Sequence, residues 1–65
     1  MFDFEISELN GGEIAIEALN ERAQKSRRLN PGTRIVFKSS GDAREYVEVV
    51  EGEGFTFLGR NLVMS

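Results

Sequence analysis

Glu13, Glu17 and Glu21 recur at every fourth position. On a helix this spacing sets three carboxylates along one ridge, with neighbours about 5–6 Å apart. Asp3 and Glu5 alternate on an extended segment, roughly 6.6 Å apart, and lengthen the same acidic surface. Such a row does no bond chemistry of its own, but it can imitate a phosphate backbone toward the basic surface of a protein partner. Acids near a helix start also complement its dipole, and Glu21 stands four residues before Lys25, so the ridge has a structural account too. A second set is basic: Arg34, Lys38 and Arg44 could share a sheet face with Tyr46, binding phosphates while an unpaired base stacks on the ring. Glu48 sits among these bases, and the set has one aromatic where RNA-binding sheets use two or three.

Other chemistry is excluded by residue type. The 65 residues include no cysteine and no histidine, which removes disulfides, thiolate nucleophiles and the usual zinc ligands. Ser7, Ser26, Ser39, Ser40 and Ser65 have no histidine to activate them, and Lys25 and Lys38 lack apolar neighbours that would lower their pKa. Neither Asn10-Gly11-Gly12-Glu13 nor Glu51-Gly52-Glu53-Gly54 fits a phosphate loop, because both put carboxylates where phosphate would sit. Glu51 and Glu53 fall well short of the roughly six to eight oxygens that calcium takes. The chain is therefore expected to be no enzyme and to hold no cofactor or metal.

The elements that position these residues follow from periodicity. Phe2, Phe4 and Ile6 alternate with Asp3, Glu5 and Ser7, which predicts a first strand. Asn10 stands three residues before Glu13, the spacing of a capping box, and Leu9 and Ile14 occupy the positions of a hydrophobic staple. Ala15, Ile16, Ala18, Leu19, Ala23 and Leu29 fall within an arc of about 160° on a helical wheel. One long helix, from Gly11 to Leu29, is thus predicted, ending before Pro31-Gly32. Arg22 interrupts its apolar arc, either as a snorkelling side chain or as a partner for a strand carboxylate.

Thr33–Ser39 alternates again, Ser39-Ser40-Gly41-Asp42 has turn chemistry, and Arg44–Glu51 returns with Val47 and Val49 on one face, so a hairpin is predicted. Phe55–Leu58 reads as the next strand, and Leu62–Met64 as either a short fifth strand or an extension of the fourth. The expected fold is a single α+β domain over residues 1–65, two-layer, in the order β-α-β-β-β. One helix would cover one face of an antiparallel sheet. The other face would stay open, carrying Arg34, Val36, Lys38, Arg44, Tyr46, Glu48, Thr56 and Leu58.

The net charge of -3 hides a division into blocks. Met1–Glu21 holds six acids and no base, while Arg22–Arg44 holds seven bases against Asp42 alone. No apolar run approaches the roughly 20 residues that span a bilayer, and the start of the chain is acidic and alternating, so a cytoplasmic location without membrane contact is expected.

In size, acidity, lack of cysteine and element order the chain resembles the small inhibitor proteins that phages encode against host machinery, including anti-CRISPR proteins. The resemblance covers the whole chain as architecture and assigns no residue. It implies a protein that occupies a surface, often a basic one, on a larger nucleic-acid-handling complex. The expected function is accordingly that of a small non-catalytic protein-binding module using Glu13, Glu17, Glu21, Asp3 and Glu5. The alternatives are a small nucleic-acid-binding protein using Arg34, Lys38, Arg44 and Tyr46, and a structural homodimer that buries Val36, Tyr46 and Leu58 against a second copy.

Overall fold

Asn20 and Ser39 start the two α-helices found among the described residues, and neither start lies where the glutamate spacing predicts one. The computed structural model describes residues 1–64. In chain order it contains β1 (Phe4–Glu8), a 3-10 turn (Asn10–Gly12), β2 (Ile14–Ala18), α1 (Glu21–Arg27), β3 (Arg34–Phe37), α2 (Ser40–Gly52), β4 (Phe57–Leu58) and a second 3-10 turn (Arg60–Val63). The fold is α+β, with a four-stranded sheet in the order β3-β2-β1-β4. The pairs β1–β2 and β2–β3 are antiparallel, whereas β4 runs parallel to β1. The expected order β-α-β-β-β is thus replaced by β-β-α-β-α-β, and the expected antiparallel sheet by a mixed one.

The single helix from Gly11 to Leu29 does not form. Gly11 and Gly12 have φ of +79° and +80°, a left-handed pair that reverses the chain rather than opening a helix. The Leu9 N–H donates to the Glu13 carbonyl at 2.7 Å and closes this reversal. No side-chain cap bond exists there, so Asn10 and Glu13 form no capping box, and Ile14 is a core residue of β2 rather than half of a staple with Leu9. Ile14, Ile16 and Ala18 alternate into the core, with Ile16 opposite Ile6 and Ala18 opposite Phe4. Helix propensities separate ordinary residues by less than about 0.7 kcal/mol each, while burying an isoleucine is worth about 1.5–3 kcal/mol. Pairing with β1 therefore outweighs the helical preference of the alanines.

The helix that remains is short. Asn20 Oδ1 accepts the Ala23 N–H at 2.8 Å, and α1 ends at Arg28, a left-handed residue whose N–H donates to the Gln24 and Lys25 carbonyls.

The predicted hairpin is also overturned: residues 40–52 are helical where Arg44–Glu51 was expected to be a strand. Ser39 Oγ accepts the Asp42 N–H at 3.2 Å, so the serines and aspartate expected to turn a hairpin instead cap a helix. Ala43, Val47 and Val50, spaced along one helical face, are fully buried. Over these few residues the valines satisfy a period of 2 and one of 3.6 alike. Topology separates them: β3 and β4 both run parallel to β1 and lie at opposite edges of the sheet. A hairpin cannot join parallel strands, whereas a helical crossover can.

Both helices contribute to one hydrophobic cluster with the strands. Ala23 of α1 and Ala43, Val47 and Val50 of α2 meet Phe4, Ile6, Ile16 and Phe57 there. The opposite sheet face remains uncovered, as expected, but with different residents. Arg34, Val36 and Leu58 lie on it, whereas Arg44, Tyr46 and Glu48 belong to α2, and Lys38 and Thr56 flank strands. Glu5, Ser7 and Glu17 complete the face, and Ala15, at its centre, is 0% exposed. After β4 the chain turns at Gly59 into the second 3-10 turn, which buries Val63, so Leu62–Met64 is neither a fifth strand nor an extension of the fourth.

Candidate functional site

Of the five acids singled out by spacing, the sheet brings two together. Glu5 and Glu17 stand directly opposite each other in the β1–β2 register, on the uncovered face. Leu58 follows beyond Glu5, and Arg34 beyond Glu17, so one row across the sheet reads Leu58-Glu5-Glu17-Arg34. The next row is Ser7-Ala15-Val36. Val36 is 51% exposed and Leu58 42%, so apolar side chains rim the acidic pair. Among the described residues neither glutamate takes part in an ion pair.

Directly opposed like charges are unfavourable in a sheet, and Glu5 has no base beside it in the register. Glu5→Gln should therefore raise stability by about 0.2–1 kcal/mol, with a smaller gain at high salt. Urea unfolding of both proteins at low and high salt measures this. A loss of stability would show that Glu5 has a structural partner.

The other three acids have different positions. Asp3 joins the beginnings of three elements: its carboxylate accepts Asn20 Nδ2 at 2.9 Å, the Thr56 N–H at 3.0 Å and Thr56 Oγ1 at 3.2 Å. Arg22 reaches it at 3.3 Å and lies over the Phe55 ring, 4.2 Å from the centroid. Arg22 was expected either to snorkel or to partner a strand carboxylate; it pairs with Asp3, which lies just before β1 rather than in it, while its guanidinium covers Phe55. The Asn20 hydrogen bond, followed by the Thr56 N–H, holds the Asp3 carboxyl below its ordinary value of 3.8.

A depressed folded pKa stabilises the protein above the unfolded value, and this contribution is lost as pH falls through the folded one. Thermal melts from neutral pH down through the carboxylate range should show Asp3→Asn less stable than the parent at neutral pH, with the difference shrinking on acidification. A constant difference would remove Asp3 from the acid response.

Glu21 occupies the first turn of α1 and pairs with Lys25 at 3.1 Å, the local account of its position. Glu13 is exposed just before β2, and four extended residues separate it from Glu17 by about 13 Å instead of one helical turn. The predicted ridge of Glu13, Glu17 and Glu21 is therefore not a surface, because the chain under it is a strand followed by a turn.

The four residues of the basic set do not share a face. Arg34 is on the uncovered sheet face, and Lys38 is exposed just past β3. Arg44 lies on α2 beside Glu48, Arg60 and Met64, across the sheet from Arg34. Tyr46 packs its ring 5.2 Å from that of Phe37 and is half-buried, and burial pushes its phenol above the ordinary 10.0. It packs at the core edge on α2, away from Arg34 on the uncovered sheet face.

One feature lies outside both sets. Phe37, Asp42, Glu45, Tyr46 and Val49 line an open groove of about 460 Å³ between β3 and α2. Asp42, Glu45, Tyr46 and Val49 have helical spacing, a signal hidden while this segment reads as a strand. Among the described residues no group of three or more acids is placed to hold a metal ion, and no helix is long and apolar enough to cross a membrane. Comparison with protein-family models, with curated proteins and with solved structures returned no match.

Proposed function

We propose that this protein is a small non-catalytic protein-binding module, acting in the cytoplasm, whose uncovered sheet face meets a basic surface on a larger protein. The observation that carries this reading is the Glu5–Glu17 pair. Two carboxylates stand opposed on an open face, in no ion pair among the described residues, with Leu58 beside Glu5, Arg34 beside Glu17 and exposed Val36 in the next row. A lysine or arginine inserted between them would relieve their repulsion, while the apolar rim would exclude water around the new pair. A standard interface buries about 800 Å² per partner, roughly a fifth of this molecule's 4230 Å². The contact must therefore cover the whole sheet face and its flanks, which brings Glu13 and Leu19 within reach.

The phage inhibitors that this chain resembles in size and acidity work by covering a surface of a nucleic-acid-handling complex, and we extend that mode to this protein. A homodimer through the same face is disfavoured, since it would gather four glutamates from two copies. The nucleic-acid reading lacks a shared surface for its four residues.

The test is affinity capture from a host lysate with the parent and the Glu5→Lys/Glu17→Lys variant side by side. A partner held by the parent should bind the variant at least about tenfold more weakly, because two attractive contacts become repulsive ones. Equal capture by both proteins would refute the assignment of this face.

A further inference from the structure

The edge of the sheet at β3 presents a second surface, which borders the uncovered face and shares Arg34 and Val36 with it. β3 is the terminal strand in the order β3-β2-β1-β4, so one side of its backbone has no strand partner. An open edge accepts an extended chain through main-chain hydrogen bonds, and the side chains on its two faces select which chain. On the outer face Arg34 and Val36 lie in β3, and Lys38 continues the alternation one residue beyond it. On the inner face Phe37 forms part of the groove shared with Tyr46, Val49, Asp42 and Glu45.

We propose that β3 and this groove accept an extended segment of another protein as a fifth strand. The segment would carry acidic side chains spaced four residues apart opposite Arg34 and Lys38, with apolar side chains toward Phe37, Tyr46 and Val49. Charge decides the occupant. Two copies of this chain paired antiparallel about Val36 would set Arg34 against Lys38 twice, which opposes self-assembly. An acidic segment turns those same positions into attractions. Asp42 and Glu45 repel acids from the groove side, so the segment's acids are directed to the outer face and its orientation about its own axis is set.

The probe is a fluorescein-labelled peptide, Gly-Ser-Glu-Ile-Val-Ile-Glu-Ser-Gly, followed by fluorescence anisotropy and by amide chemical shifts of the protein. The expected result is saturable binding that perturbs residues 34–38 together with Tyr46 and Val49. The same peptide with lysine in place of both glutamates should bind about tenfold more weakly. Arg34→Glu/Lys38→Glu should invert that preference, with circular dichroism confirming that the variant is folded. Glu5→Lys, a change on β1 that leaves Glu17 beside Arg34 in place, should leave peptide binding unchanged, so this proposal and the sheet-face assignment fail separately. No saturable binding, equal affinity for both peptides, or shifts that map away from β3 would overturn it. So would a dimer of this chain whose contact maps to β3.

Discussion

Replacing Phe4 by alanine should cost about 3–5 kcal/mol and leave much of the protein unfolded at room temperature. A chain of 65 residues has a total stability of roughly 3–10 kcal/mol, so this one side chain can account for most of it. Phe4 is 0% exposed and sits where the two helices and the parallel strand pair converge. Its ring stacks on Phe57 at 4.9 Å and meets Phe55 edge-on at 5.6 Å. Truncation opens a void bordered by two rings that are themselves held by short elements, and β4, only Phe57–Leu58, has little else to anchor it. Phe2, one full alternation before Phe4 but outside β1 and 44% exposed, is the control: Phe2→Ala should change stability by no more than about 0.5 kcal/mol. Urea unfolding followed by circular dichroism reads both. A cost below about 1 kcal/mol for Phe4→Ala would mean that the core is organised elsewhere.

Gly59→Ala should be nearly as damaging, at about 2–4 kcal/mol, although it adds only a methyl group. Gly59 has φ of +87°, and a Cβ there would stand 2.5 Å from the Ile6 carbonyl oxygen. That oxygen belongs to the backbone of a central strand and cannot retreat without disturbing both neighbours of β1. The chain needs this close approach because it leaves β4 beside β1 and must turn at once to bury Val63. Gly52, at the end of α2, is the opposite case: a Cβ there meets nothing within 4 Å. Gly52→Ala should therefore stabilise the protein by up to about 1 kcal/mol. If the two substitutions have similar effects in thermal and urea unfolding, close packing at Gly59 is not what constrains it.

These two sites differ in how visible they are beforehand. Phe4 is legible, because alternation with Asp3 and Glu5 marks it as inward-facing whatever the rest of the chain does. Gly59 reads only as a turn residue, since its constraint comes from Ile6, which the strand pairing brings alongside. The acidic site has the same mixed origin. Glu5 and Glu17 stand out by type and local spacing, but their opposition depends on the β1–β2 register. Spacing along the chain pointed instead to Glu13 and Glu21, which the turn and the α1 start carry away from them. The groove by β3 was hidden for the same reason, as its four α2 residues share a face only once the segment is a helix.

Residue order was enough for the α+β class, for a first strand with Phe4 and Ile6 inward though not Phe2, which lies before β1 and is exposed, and for the exclusion of thiol, imidazole and disulfide chemistry. Those conclusions rest on residue type or on an alternation with no competing period. Tertiary structure alone decided that Ile14–Ala18 is a strand and Ser40–Gly52 a helix, because both periods fit such short apolar runs. Pairing with β1 selected the first, and the need to cross between parallel edge strands selected the second. The Glu5–Glu17 pair and the free β3 edge exist only as results of those two choices.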